Sequence, residues 1–598
     1  MRSALALILV LLGITARAAD RPNFVWLISE DNSIHYSSLY VQSGAAAPCI
    51  KNLAAEGVIF NHAFCVSPVC SSARSTLATG CYSSRIGVQH HRRFEPATLP
   101  DGVLPIYSLL RDAGYYTSNK TKTDYNFASE GSPWHSNRDW HGRTEGQPFF
   151  HKQTFFTTHE SQLFHVRSAD ISQEKMSLPP YMPDTPLFKK TVQTYHRLHE
   201  KMDREVGAVI EALKTEGLLE DTFIFYFGDN GGVLPRSKGF LFETGLHVPL
   251  VVRIPENWRH LVDLECGTRV DGFVNFTDFA PTILNLAGIK PPMGTDGKPF
   301  MGPGITRADL ERRDEVFGMA DRMGEKCGFV RSFRKGKYKY IRNYLPYQPD
   351  GLHHGYRYEM PAYREWCDLY KAGMLDALQG RFFEPTLPEM LFDLETDPHE
   401  TANLATDPQY TEILKRMRNR LTSWVKELPD LSFYPESFLI EKAFNPSAFG
   451  ISHQKDISKL VDIADLALVS FDQAKPGIDH ALESENPWAR YWGLIVCSTQ
   501  GKPASVFIEK AKSLTTLDPE PLVRVRAAEF LGLIGAADPR PVLMDVLAET
   551  EEPLVALITL NTVVLLHDSK LGYEFDISPN DVKAKSGATT NRLQYLAR

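Results

Sequence analysis

Two uninterrupted apolar runs, "FVWLIS" at 24–29 and "FIFYFG" at 223–228, constrain this chain more than any other feature. Runs without polar alternation are buried on both faces, as strands of a helix-covered parallel sheet are. We read strands at Asn23 to Ile28 and Phe223 to Phe227 and an α/β fold. Ahead of the second run, Tyr195, Leu198, Met202, Val206, Val209, Ile210 and Leu213 recur at helical spacing, and Gly217 closes the helix. Each strand ends in oxygen donors: Glu30 and Asp31 after the first, Asp229 and Asn230 after the second. Ligands of open α/β sheets bind outside such carboxyl ends. Adjacent residues on an extended chain point apart, so a turn must begin at Glu30 for both acids to face one ion. An oxygen-only set suits Ca²⁺ or Mg²⁺ rather than zinc; the bland alternative is a solvated acidic turn.

The N-terminus reads as a signal peptide over residues 1–19. Arg2 is followed by an apolar stretch at 4–14 and the small-residue site Ala16-Arg17-Ala18. That stretch is shorter than the roughly 20 residues a spanning helix needs, so the mature chain is expected to be soluble and periplasmic or secreted, with a membrane anchor as the rival. At 598 residues two or three domains are expected. The net charge of −8 has no long acidic or basic block, which argues against nucleic acid as the main partner. Eight scattered cysteines (49, 65, 70, 81, 266, 327, 367, 497) form neither a disulfide scaffold nor a CxxC zinc site. One local disulfide among the first four stays open.

The stretch "SPVCSSARSTLATG" sets Cys70 four residues before Arg74 among small polar residues. A structural thiol wants apolar neighbours; this setting suits a reactive group facing an anion.

Here the residues resemble the formylglycine-dependent sulfatases of the alkaline phosphatase superfamily. The signature Cys-x-Pro/Ala-x-Arg reads Cys70-Ser71-Ser72-Ala73-Arg74, with Thr79-Gly80 following. Glu30-Asp31 and Asp229-Asn230 match the two metal pairs, and Lys238, Glu243, Gly245, Val248 and Pro249 match a later block. "FTDFAPTILNLAGI" and "LFDLETDPHETANLA" match two more, in family order, out to about residue 430. Within the family, "LPPYMPDTPLFKKTVQTYHRLHEKMD" is most similar to the heparan N-sulfatase (N-sulfoglucosamine sulfohydrolase) branch. Three positions depart from the pattern: Ser72 stands for Pro or Ala, Glu30 for Asp, and Asp124 for the histidine two residues after the sulfate-binding lysine, here Lys122.

The resemblance implies an alkaline-phosphatase-like mixed sheet flanked by helices at 20–330 and a smaller C-terminal α+β subdomain at 331–445. It implies that a formylglycine-generating enzyme converts Cys70 to formylglycine, whose gem-diol attacks sulfur and later expels sulfate. One divalent cation, Ca²⁺ before Mg²⁺, would be held by Glu30, Asp31, Asp229, Asn230 and position 70. Arg74 would stabilise the nucleophile, Lys122 and Lys238 would hold sulfate oxygens, and His159 would protonate the leaving group. His90, His91, Arg92 and Arg93 would contact anionic sugar substituents, or form a solvated loop. The implied substrate is a sulfate ester or N-sulfate of a sulfated oligo- or polysaccharide. The alternatives are a phosphate or phosphonate ester hydrolase of the same superfamily, and a non-catalytic glycan-binding pseudoenzyme.

From 455 to 598 strand signals vanish. Segments beginning at Asn486, Glu520 and Glu552, each with a proline next and an apolar helix after it, resemble HEAT-type repeats. Their role stays open between packing, shaping the cleft and oligomerisation.

Overall fold

The computed structural model describes residues 21–597, apart from 129–130, 133, 168–176 and 444. The expected signal peptide lies outside the described residues. Among the described residues no helix is long and apolar enough to cross a membrane.

Strand β1 (Asn23–Ser29) is the axis of an eight-stranded mixed sheet. The others are β2 (Gly57–Phe64), β3 (Tyr116–Lys120), β4 (Phe149–Phe155), β5 (Thr222–Gly228), β6 (His247–Arg253), β7 (Thr268–Val270) and β8 (Val274–Asn275). The order is β3-β4-β1-β5-β6-β2-β7, with β8 beside β2. Strand β1 runs parallel to both β4 and β5, and its last residue, Ser29, lies opposite Phe155 and Gly228. Three chains therefore end together at one edge. Strand β6 is antiparallel to β5 and β2, which makes the sheet mixed.

The period of two explains why the central runs are apolar throughout. Phe24, Trp26 and Ile28 join Phe223, Phe225 and Phe227 in the core on one face. Val25 and Leu27 join Ile224 and Tyr226 on the other, against Met202, Val206 and Leu213. Those last three come from the long helix Pro186–Thr215, begun by proline and capped by Thr185, whose hydroxyl accepts from the Phe188 amide. Helix α1 (Cys70–Thr79) follows β2 and stops at Gly80, whose φ of 68° is the left-handed cap conformation.

A second sheet is antiparallel: β9 (Glu315–Ala320), β10 (Val330–Lys335), β11 (Tyr338–Asn343) and β12 (Glu389–Asp393), in the order β12-β11-β10-β9. A buried ion cluster ties it to the first sheet. Lys339 lies 3.0 Å from Glu243 and 2.9 Å from Glu400, and the Glu243 amide donates to Glu400 at 2.7 Å. Glu243 and Glu400 belong to two of the sequence blocks quoted above, so those blocks meet in space as partners.

The C-terminal third is helical, as expected. Helices α2 (Pro487–Gln500), α3 (Pro521–Leu533) and α4 (Pro553–His567) each begin with proline after Asn486, Glu520 or Glu552. Helix α5 (Gly587–Leu596) closes the region. These helices share one apolar core with the second sheet: Phe317, Phe333 and Tyr340 belong to the same cluster as Trp492, Phe530 and Leu560. A polar knot pins the junction. Glu529, fully buried, accepts from Arg526 at 2.7 Å, from Tyr347 Oη at 2.6 Å and from Thr562 Oγ1 at 2.7 Å. Tyr347→Phe removes one donor from that buried carboxylate and is expected to cost about 1–3 kcal/mol. Urea unfolding measures it, and an unchanged midpoint would mean the knot is not holding the helices.

Candidate active site

The carboxyl ends of β1, β4 and β5 bring Glu30, Asp31, His159, Asp229 and Asn230 together, and Cys70, Arg74, Lys122 and Lys238 reach the same place from α1 and two loops. Asp31 has a φ of 48°, the left-handed turn needed to bring it round beside Glu30. Its amide donates to Asp229 Oδ1 at 2.9 Å, and Asn230 Nδ2 donates to Asp31 Oδ1 at 2.8 Å, across 198 and 199 residues of chain. Glu30, Asp31, Asp229 and Asn230 are all fully buried. Asn230 Oδ1 is a buried acceptor with no hydrogen-bond partner among the described residues. Leaving such an oxygen unpaired is costly in a protein interior, and a hard cation would satisfy it. Among the described residues one trio of His, Cys, Asp or Glu side chains is close enough to hold a metal. It consists of Glu30, Asp31 and His159, with donor atoms within 4.8 Å of one another.

Three cations neutralise the acids. Arg74 is 1 % exposed; it contacts Glu30, and its Nε and Nη2 lie 3.0 and 2.9 Å from Asp229. Lys122 Nζ lies 3.0 Å from Glu30, and Lys238 Nζ lies 2.8 Å from Asp31 and 2.9 Å from Glu160. Burial opposes the charges of Arg74, Lys122 and Lys238, and the acidic groups around them outweigh it. Against burial, Lys238 holds the Asp31 carboxyl well below the usual range. For Asp229, burial and the neighbouring Glu30 outweigh Arg74 and push it up to about 6.

Cys70 is the first residue of α1 and is 1 % exposed. Burial pushes its thiol up to about 12, in spite of Lys238 and Lys122. Arg74, which the sequence sets beside it, is committed to Glu30 and Asp229 instead. The unmodified thiol is therefore protonated at neutral pH, and nucleophilic cysteines need the opposite. All eight cysteines are unpaired, so the local disulfide left open by the sequence is not formed.

Cys70 opens onto a cavity of about 470 Å³, lined also by His91, Arg92, Arg93, His159 and Lys238. His90 does not line it; it is buried with Nδ1 3.7 Å from Glu436. The tetrad therefore splits, three residues facing the cavity and one facing the core. His159 Nδ1 accepts from the Ser161 amide at 3.3 Å, and burial pushes the imidazole below its ordinary pKa. The neutral ring then carries its proton on Nε2, 4.0 Å from Glu30.

Three residues escaped the sequence reading. Glu160 pairs with Lys238, and its only signal was to follow His159 directly. Arg322, on the cavity wall, is held by Glu436 at 2.6 and 2.9 Å, and no motif flagged it. Asp124, noted only as a missing histidine, lies 3.3 Å from both Lys122 and Arg92. Despite burial, those two cations hold it well below the usual carboxylate range.

Comparison with known proteins now places this geometry. The sulfatase family profile matches residues 22–191 and 133–289. An ulvan-active sulfatase of Formosa agariphila is 34% identical over 479 residues, covering 72% of this chain and 78% of the relative. The human N-sulphoglucosamine sulphohydrolase is 24% identical over 499 residues, covering 73% of this chain and 96% of that enzyme. A solved 2-O GAG sulfatase superposes with a TM-score of 0.50 at 17% identity, over 69% of this chain and 93% of its own, which supports the mixed α/β fold. The chain belongs to the sulfatase family and is a sulfuric ester hydrolase.

Proposed function

We propose that this sulfatase removes sulfate from sulfated polysaccharides, with the oxygen nucleophile formed at position 70 after conversion of Cys70 to formylglycine. The observation that carries this reading is the placement of Cys70. It lines a cation-lined cavity, at the carboxyl ends of three parallel strands, with a thiol whose burial keeps it protonated. The buried oxygen donors of Glu30, Asp31, Asp229 and Asn230, one of them unpartnered, fit a calcium ion, which accepts carboxylate and amide oxygens in flexible geometry. Bound there, such an ion would acidify the nucleophile's hydroxyl and neutralise a sulfate oxygen.

The chain's own residues do the rest. Arg74 fixes Glu30 and Asp229 in place. Lys238 and Lys122 present ammonium groups to the sulfate oxygens, where charge builds as the S–O bond breaks. His159, its ring oriented by Ser161, offers its Nε2–H as a hydrogen-bond donor to the departing sugar oxygen or nitrogen, and transfers a proton to it only from the imidazolium form. His91, Arg92 and Arg93 line the approach of an anionic glycan.

A cleavable signal over 1–19 and export to the periplasm or medium complete the proposal. So do a catalytic region at 20–330, a subdomain at 331–445 and HEAT-like repeats from 455, whose recurrent proline-initiated helices support the last assignment.

Peptide mass spectrometry of Cys70, from a host that carries the maturation enzyme, is the test. The expected result is a mass loss matching replacement of CH₂SH by CHO; an unmodified thiol in that host would sink the mechanism. Metal binding gives a second prediction. Asp229, at about 6, must shed a proton to bind a cation. Divalent-ion affinity is expected to fall roughly tenfold per pH unit below that point and to level off above it. Titration calorimetry of the chelator-treated protein across this range reads both the affinity and the released proton. A pH-independent affinity would remove Asp229 from the ligand set.

A further inference from the structure

Beside the catalytic cavity lies a larger one of about 890 Å³. Segment 349–371 forms one wall, and residues from the ends of helices α4 and α5 form the other. Tyr356 and Asn591 line both cavities, so the two meet there. The desulfation chemistry above makes no use of the second space.

Its helical wall is firmly built. Arg592 is fully buried and donates to Glu325 O at 3.0 Å, to Asn561 Oδ1 at 2.8 Å and to His353 O. Tyr595 stacks on His353 with ring centroids 3.7 Å apart, and its hydroxyl donates to Asp568 at 2.8 Å. Helix α5 is thereby fixed, with Ser586, Gly587 and Ala588 at its start on the catalytic cavity and Gln594 and Tyr595 further along on the second. Asn591 and Gln594, nearly one turn apart, are exposed amides that make no side-chain hydrogen bond to the described residues.

Charge separates the two cavities. The catalytic one presents Arg92, Arg93, Lys238 and Arg322 against Glu160 and Glu325. The second presents Arg364 and Lys371 against Glu359, Asp368 and Asp568, and Arg364 already donates to two backbone carbonyls. A sulfated or carboxylated sugar is drawn to the first and repelled from the second. What remains in the second is amide and phenol chemistry. Asn and Gln offer a donor and an acceptor side by side to vicinal hydroxyls, and tyrosine rings offer a flat apolar face to the C–H side of a sugar. The volume suits a ligand of several rings.

We propose that this second cavity is a glycan-binding groove for the uncharged sugars that adjoin the sulfated one, and that helix α5 extends the substrate site beyond the catalytic centre. This rests on reading the first cavity as the sulfate site.

The test is a binding measurement with the full-length chain. The probes are oligosaccharides graded from di- to hexasaccharide, sharing one sulfated end and extended by either uncharged or carboxylated sugars. Affinity is expected to rise about tenfold with uncharged extension and not with carboxylated extension. Gln594→Trp and, on the opposite wall, Lys371→Trp each fill the groove from an exposed position and are expected to erase that rise. No gain with length, an equal gain for charged extension, or a gain that survives both variants would overturn the proposal. Because binding is read directly, failure to release sulfate would count against the catalytic reading and leave this one standing.

Discussion

Cys70→Ala is expected to reduce sulfate release by roughly 10⁴-fold or more, the scale on which enzymes lose rate when a covalent nucleophile is removed. No neighbouring group can take over. Ser71 Oγ accepts from the Arg92 amide at 2.9 Å, and Ser72, although buried, lies outside the cavity lining. The fold should barely notice, since the thiol makes only weak polar contacts, to His91 at 3.7 Å and to Asp124, and alanine keeps the helix start. Initial rates on a sulfated oligosaccharide, together with a thermal melt, decide the matter. Activity within about a hundredfold of wild type would exclude position 70 as the nucleophile.

Arg74→Met should act on stability as much as on rate. It removes a guanidinium from between two fully buried carboxylates, and losing one partner of a buried ion pair costs about 3–5 kcal/mol. The deficit has a definite pH dependence. Asp229 already sits at about 6, above its unfolded value, and without Arg74 it moves further up. A carboxyl raised in the folded state contributes stability that is present at low pH and lost as pH rises through its folded pKa. The variant should therefore be closest to wild type near pH 5 and furthest from it near pH 8. Urea unfolding in chelator at both values measures this. A deficit under about 1 kcal/mol at the higher pH would show that Lys122 and Lys238 alone balance the acids.

What the sequence disclosed, and what it withheld, follows from range. The central strands were readable because burial on both faces forces apolar residues at every position, and the acids at their ends because polar groups interrupt such runs abruptly. Helix starts in the last third were readable too, since a proline in the first turn is a local signal. The split of the tetrad was not. Whether His90 faces the cavity or Glu436 depends on a contact 346 residues away in sequence. The state of Cys70 was hidden for the same reason. The local stretch suggests a thiol beside a cation, but Glu30 and Asp229 take that cation from elsewhere in the chain.

The single core shared by the second sheet and the terminal helices bears on how this chain can change over time. A gene cut after residue 445 would not encode a smaller sulfatase. It would encode one whose second sheet lay bare on its apolar side, prone to clump before it folded. In this chain the helical third is thus part of the enzyme's own core.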